Sequence, residues 1–257
     1  MTIETGSERV APSSGVLEPF IGRLARLTAL DREELAALER LFEPPRLVKT
    51  DREIVSPGAA VRHLHVLLDG WAARTKLLPD GRRQFSALLM PGDACDIDAL
   101  AIPQFNFGVI ALEPCTVACI PHDALLALAA ERPQVGRTLT WLACVENVVM
   151  GEWIAWHGRL TAVERIANLF CELQARLEMV GRAEPDGFRL PLTQDELADA
   201  VGLTSVHVNR TLKEMRERGL AEVRGQRVVI PDLDALRRAG GFSPRYLQIA
   251  ARDRVAA

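Results

Sequence analysis

The chain has 257 residues, of which 48% are hydrophobic and 25% charged, with a formal net charge of −3 and five cysteines. That length and apolar content can fill one large core or two ordinary ones, while no apolar run approaches the ~18 residues of a membrane span and no basic-then-apolar leader opens the chain. Cys95, Cys115, Cys119, Cys144 and Cys171 are an odd set whose spacing does not suggest a disulfide framework; with no apolar run of membrane length, a reducing, cytoplasmic location and no membrane partner are expected.

Taken in chain order, residues up to about Gly15 are rich in Ser, Gly and Thr and predict a disordered tail. Asp31 with Glu34 three residues on predicts a capped short helix whose inner side carries Leu35, Leu38 and Leu41. From Pro44 to about Pro121 short strands are punctuated by Pro-Gly, Asp-Gly and Pro-Gly-Asp, with no long-period repeat. This pattern predicts a jelly-roll or barrel rather than a solenoid. After Pro133 a helix is expected from about Gln134 to His157, with Leu139, Leu142, Val149, Trp153 and Trp156 on one stripe that Glu146 interrupts. Such a helix can pack on its own β domain or pair with a second copy, where one polar seam residue sets register. A further helix is expected from Ala162 to about Met179, then a loop, GRAEPDGFRLP.

The run from Leu192 to Ile230 carries the most information. Thr193 and Glu196 form a capping box, Leu192 and Leu197 can close a staple over it, and Gly202 supplies the left-handed residue that ends the helix. Thr204 caps a second helix in which Val208, Leu212 and Met215 recur at i, i+4 and i+7. Val206, Arg210, Lys213 and Glu217 occupy the opposite face, flanked by Ser205, His207 and Asn209. A guanidinium for a guanine edge, a small apolar group for a thymine methyl and a lysine for phosphate are what a recognition helix needs. Beyond Gly219, AEVRGQRVVI reads as a hairpin around Gly225-Gln226, with Arg224 and Arg227 beside its tip. A solvated basic face on a small helical module is the plainer reading. Two caps, a glycine turn and a hairpin in one run favour DNA binding through Thr193, Thr204, Ser205, Val206, His207, Asn209, Arg210, Lys213, Arg224 and Arg227.

This run resembles the DNA-binding domain of the Crp/Fnr superfamily of bacterial transcription regulators. Upstream, Val61 to Asp93 resembles the same family's β-roll sensor: a strand ends at Gly70, a hairpin turns at Asp80-Gly81, and Pro91-Gly92-Asp93 leads into the ligand cassette. The resemblance covers roughly residues 20 to 235. It implies an α+β protein with an N-terminal double-stranded β-helix (a jelly-roll like that of cyclic-nucleotide-binding domains), a long dimerisation helix and a C-terminal winged helix-turn-helix. The expected divisions are a tail over 1–17, the β-roll over 18–133, the dimerisation helix over 134–158, the DNA-binding domain over 159–240 and a C-terminal tail over 241–257. The implied partners are palindromic double-stranded DNA, a second copy of the chain through Leu139, Leu142, Glu146, Val149, Trp153 and Trp156, and RNA polymerase; no enzymatic activity is implied.

Cyclic-nucleotide-binding members of the family place an Arg-Ser or Arg-Thr pair on the cyclic phosphate. Laying VIALEPC over the corresponding strand puts Gln104, Phe105 and Asn106 there, and no arginine lies between Arg83 and Arg132. Asp93, Asp96 and Asp98 would repel a phosphate, since a buried anion needs a paired cation. An effector pocket formed by Asp93, Cys95, Asp96, Phe105, Asn106 and Phe107 is therefore expected to bind cyclic AMP weakly or not at all, with no cofactor and no metal. The competing reading is a cupin-like metal-dependent enzyme, or a metal or redox sensor, housed in the β-roll. His63 and His65 share a strand face and imitate half of a cupin site, but no glutamate follows at the usual reach. Cys95, Cys115, Cys119 and His122, with Asp96 and Asp98, lack zinc spacing, and a first cysteine at position 95 does not support an N-terminal iron–sulfur group.

Overall fold

The computed structural model describes residues 15–249, so the expected tail lies outside the described residues as far as residue 14. These residues divide into two compact units, 15–75 with 88–143 and 76–87 with 144–249. The division falls inside the long helix, after Ala143.

The first unit holds a β-roll with helices at its ends, except for residues 76–87 of that roll, which cluster with the second. Helices α1 (Glu18–Leu27) and α2 (Arg32–Glu39) precede strands β1 (Arg46–Val48), β2 (Glu53–Val55), β3 (His63–Asp69), β4 (Ala72–Leu77), β5 (Arg83–Leu89), β6 (Gly108–Ala111) and β7 (Cys115–Pro121), followed by α3 (His122–Glu131) and α4 (Pro133–Arg159). The strands form two sheets ordered β1-β7-β3 and β2-β6-β4-β5. Alternation is clearest on β3, where Leu64 and Val66 are fully buried and His63 and His65 half-buried, as a period of two requires. The core joins Phe20, Leu24, Leu38, Leu64, Ile120 and Leu139.

Asp31 closes its expected capping box with Glu34, but α1 and α3 were not foreseen. Neither announces itself: their N-cap residues, Leu17 and Pro121, make no side-chain cap. Helix α1 holds the cassette in place, because Arg23 pairs with Asp93 and donates to Gly92 O at 3.0 Å. The second oxygen of Asp93 accepts the Met90 amide at 2.8 Å. Asp96, fully buried, clamps β3 through the His65 amide (2.8 Å) and ring Nδ1 (2.6 Å).

The second unit is built on α5 (Ala162–Met179), which starts at a Thr161–Glu164 capping box and is buried along most of its length. Around it lie β8 (Gly187–Arg189), α6 (Gln194–Val201), α7 (Ser205–Glu217), β9 (Glu222–Arg224), β10 (Arg227–Val229) and α8 (Leu233–Gly240), with a 3₁₀ turn at Pro244–Leu247. The stretch read as a loop contains β8, which joins the wing in a sheet ordered β8-β10-β9. Gly187 permits that pairing, since a Cβ there would stand 1.9 Å from Val228 O. The fully buried carboxylate of Glu172 accepts from Trp153 Nε1 (3.0 Å), Tyr246 OH (2.8 Å) and Arg176 Nη1 (3.0 Å).

The His65–Asp96 clamp makes stability depend on pH. Burial alone would lower the His65 pKa, but hydrogen bonds to Asp96 and Cys119 outweigh it and raise it to about 9. The stabilisation is therefore complete below pH 6.5 and lost as pH rises through 9. Chemical denaturation across that window is expected to show a fall of up to roughly 3 kcal/mol that His65→Gln lacks; a profile that the substitution leaves unchanged contradicts the charged clamp.

Candidate nucleic-acid interface

The two helices of the reading head are fixed at both ends by the residues the sequence singled out. Thr193 accepts the Glu196 amide and Glu196 the Thr193 amide, an exchange that satisfies two orphan donors. Gly202 has φ +63° and closes α6, and its added Cβ would meet His157 Cδ2 at 2.7 Å. Thr204 then caps α7 by accepting the His207 amide. Val208 and Met215 are fully buried and Thr211 nearly so, while Leu212 is half-buried. A cross-helix hydrogen bond from Asn209 Nδ2 to Gln194 Oε1 (2.5 Å) ties the start of α6 to α7.

The outward face carries Val206 at 79% exposure with exposed Asn209, Arg210 and Lys213. Thr193, Thr204 and Arg224 are exposed, whereas Ser205, His207 and Arg227 are half-buried. Among the described residues Arg210 makes no hydrogen bond or ion pair. Lys213 lies 3.8 Å from Glu217, an exposed pair worth about 0–1 kcal/mol. A cleft of roughly 720 Å³ runs between this face and the wing, lined by Gln194, Asn209, Arg210, Lys213, Arg216, Val223 and Gly225 among others. Gln194 and Arg216 were missed, although Gln194 opens the capped helix and Arg216 falls three residues, nearly one turn, beyond Lys213.

The wing differs from expectation in one charge. Arg227 is held between Glu184 (2.5 Å) and Asp186 (2.6 Å), on the segment that β8 brings alongside β10, so its guanidinium is committed to carboxylates. Arg224 remains exposed, and Glu222 beside it (2.7 Å) raises its pKa. Gly225 has φ +59° at the hairpin turn.

The effector cassette also needs correcting. Two of its three aspartates are already compensated: Asp93 is paired with Arg23 and Asp96 with His65. A cation reaches the cassette from β4, where the nearly buried Arg74 donates to Cys95 O (3.0 Å) and lies 4.7 Å from the centre of the Phe107 ring. Burial raises the Asp98 pKa, with Arg74 acting against it. Phe105 and Phe107 are buried edge to face at 5.6 Å. Asn106 is exposed, so it does not line a pocket with them. At the expected phosphate position Gln104 donates to Gly58 O (2.6 Å). Among the described residues no group of three His, Cys, Asp or Glu side chains is placed to hold a metal ion, and no helix is long and apolar enough to cross a membrane.

On α4, four of the six expected seam residues face their own chain. Leu139 and Leu142 are buried in the core of the first unit, and Trp153 and Trp156 in the second. Glu146 and Val149 are half-buried. The exposed face of α4 is the opposite one, with Thr140, Cys144, Val148, Gly151, Ile154, Ala155 and Gly158.

Comparison with known proteins agrees with both halves. The cyclic nucleotide-binding domain family matches residues 45–132 and the Crp-like helix-turn-helix domain family residues 164–239. The chain is 30% identical over 203 residues to the transcriptional activator protein FnrL of Cereibacter sphaeroides, covering 78% of this chain and 81% of that protein. It is 28% identical over 228 residues to the nitrogen fixation regulation protein FixK of Azorhizobium caulinodans, covering 88% and 90%. The structure of FixK2 from Bradyrhizobium japonicum superimposes with a TM-score of 0.71 at 25% identity, over 77% of this chain and 98% of that one. A capped helix-turn-helix with its wing, a β-roll ahead of it and a relative alike across four-fifths of its length lead to one conclusion: the chain belongs to the Crp/Fnr family of DNA-binding transcription regulators.

Proposed function

We propose that the protein acts as a homodimer that reads a palindromic site in double-stranded DNA through α7, under control of a signal received at the β-roll, and meets RNA polymerase at the promoters it controls. The observation that carries this reading is the uncommitted guanidinium of Arg210 beside the exposed Val206, on a helix whose start is fixed by Thr204 and by the Asn209–Gln194 bond. Preorganised side chains of this kind can contact base edges in the major groove without first breaking a bond to their own chain. Lys213 and the exposed Arg224 suit phosphate, and the α7 helices of two copies would enter the groove about one helical turn, ~34 Å, apart.

The dimer seam is drawn on the outward face of α4. Cys144, Val148, Gly151, Ala155 and Gly158 recur at alternating spacings of four and three, the period of paired helices. Gly151 and Gly158 support this placement, because a glycine inside a helix costs about 1 kcal/mol relative to alanine. Among the described residues nothing outside their own turn of helix lies within 4 Å of an added Cβ at either position, so these residues do not require a glycine there. Close approach of a second helix does.

Three measurements test this reading. In binding titrations against a site library, Arg210→Ala should cost about 1–3 kcal/mol and relax preference at one position in each half-site. Lys213→Ala should weaken all sequences alike and reduce the salt slope by about 1. An Arg210→Ala protein with unchanged affinity and preference rules out base reading by this helix. In light scattering at roughly 20 µM, the wild type should be a dimer and Ile154→Glu shifted to monomer, with little change in thermal midpoint; a monomeric wild type removes the seam. In calorimetry cyclic AMP should give no saturable heat, and one-to-one binding at micromolar affinity would show that Arg74 reaches the phosphate.

A further inference from the structure

We propose that Gln194 determines specificity at the DNA interface as a positioning residue, by holding the side-chain amide of Asn209 in the orientation that matches adenine in the major groove. The inference rests on the reading of DNA by α7 and deepens it, adding a second read base pair beside the one assigned to Arg210.

Val206, Asn209 and Arg210 stand at i, i+3 and i+4 in the first half of α7, so they share one face. Asn209 is as exposed as its neighbours, but its side chain is tied: Nδ2 donates to Gln194 Oε1 at 2.5 Å. The bond crosses from the first residue of α6 to α7, between positions 15 apart in the chain. Among the described residues neither side-chain amide has another partner. Both line the cleft between α7 and the wing, together with Arg210 and Lys213. Glu222 lines it too, but its carboxylate is bonded to Arg224 at 2.7 Å.

An exposed amide–amide bond adds little to stability, because water competes for both groups. Its consequence is orientation. The terminal torsion of a free asparagine is broad and roughly two-fold, so oxygen and nitrogen exchange places readily. Drawing Nδ2 toward Gln194 fixes which side carries the oxygen. One Nδ2 hydrogen is used in the bond, while the second hydrogen and both lone pairs of Oδ1 remain. A donor and an acceptor side by side complement adenine, which presents its N7 acceptor beside its N6 donor. Guanine presents two acceptors, N7 and O6, so O6 would face the lone pairs of Oδ1. Thymine offers O4 alone and cytosine N4 alone. Adenine is the base that satisfies both halves of the held amide.

The fold of α6 does not account for Gln194. Its cap is made by Thr193 and Glu196, and its buried side includes Leu197, Ala198 and Val201. Gln194 stands outside both sets and is exposed. Replacing it therefore removes the hold on Asn209 while leaving the helix its cap and its packing.

The test measures binding of the full-length protein to a site library in which each half-site position is varied. At one position the wild type should favour adenine by about 5- to 150-fold, the range of a bidentate contact. Asn209→Ala should bring that ratio to about twofold or less and leave the preference set by Arg210 in place. Gln194→Ala should lower the same ratio by at least about threefold, at that position alone. Gln194→Glu separates positioning from a merely structural role. Its carboxylate still accepts from Asn209 Nδ2, so the adenine preference should return to within about twofold of wild type, while the added charge weakens binding to all sequences alike. An adenine ratio that Gln194→Ala leaves unchanged, a Gln194→Glu protein as indiscriminate as Gln194→Ala, or no adenine preference that depends on Asn209 each overturns the proposal. If Arg210→Ala also leaves every preference unchanged, the reading of DNA by α7 fails with it; if Arg210→Ala relaxes its own position, this inference alone is lost.

Discussion

The reading head depends on a buried carboxylate. Glu172 lies at the centre of α5 with no solvent exposure, and its donors come from α4 (Trp153), from α5 itself (Arg176) and from the C-terminal turn (Tyr246). Removing one partner from such a group costs about 3–5 kcal/mol, well above the 0–1 kcal/mol of an exposed pair such as Lys213–Glu217. The same helix positions the turn between α6 and α7. Arg165 donates to Val201 O (2.7 Å), His157 O (3.0 Å) and Leu160 O (3.1 Å), and His157 reaches Ala200 O (3.2 Å). Gly202 sits against the His157 ring, so the geometry that presents α7 is set by polar contacts made behind it.

Elements with a local chemical announcement were legible in the sequence. The boxes at Asp31 and Thr193, the cap at Thr204 and the left-handed Gly202 stand where they were expected, because capping is decided within four residues. Helix α5 runs over the expected Ala162–Met179, and α4 extends only slightly beyond its expected ends, to Pro133–Arg159. Strand β8 was hidden for the opposite reason. Three residues between Asp186 and Leu190 carry no periodicity, and only pairing with β10, some 40 positions later, makes them a strand. Helix α8 carries a cap, Asp232 to the Ala235 amide, but its eight residues offer too few turns for a pattern.

Periodicity located α4 without telling which of its faces turns inward. Both faces carry apolar groups at helical spacing, and side-chain size separates them. Tryptophans bury the largest apolar area, and Trp153 and Trp156 are drawn into the protein's own core, stacked 6.1 Å apart. The narrow face of glycine, alanine and valine is left outside. Charge counting in the cassette missed two ion pairs for a related reason, since the partners of Asp93 and Asp96 are remote in sequence: Arg23 meets Asp93 across 70 positions and His65 meets Asp96 across 31.

Compensation also explains how a chain with net charge −3 presents a DNA-reading surface. Carboxylates accompany the cations around the groove, with Glu217 near Lys213, Glu222 near Arg224, and Glu184 and Asp186 on Arg227. Each such pair must be weakened before its cation can neutralise a phosphate, which lowers the sequence-independent, salt-sensitive part of binding. Among the described residues Arg210 has no such competitor, and it is the side chain proposed to read a base edge. On the proposed reading, a surface arranged in this way gives up general affinity for nucleic acid while keeping the contact that discriminates between sequences, and specificity would rest on that guanidinium and on the spacing that the proposed dimer imposes between two of them.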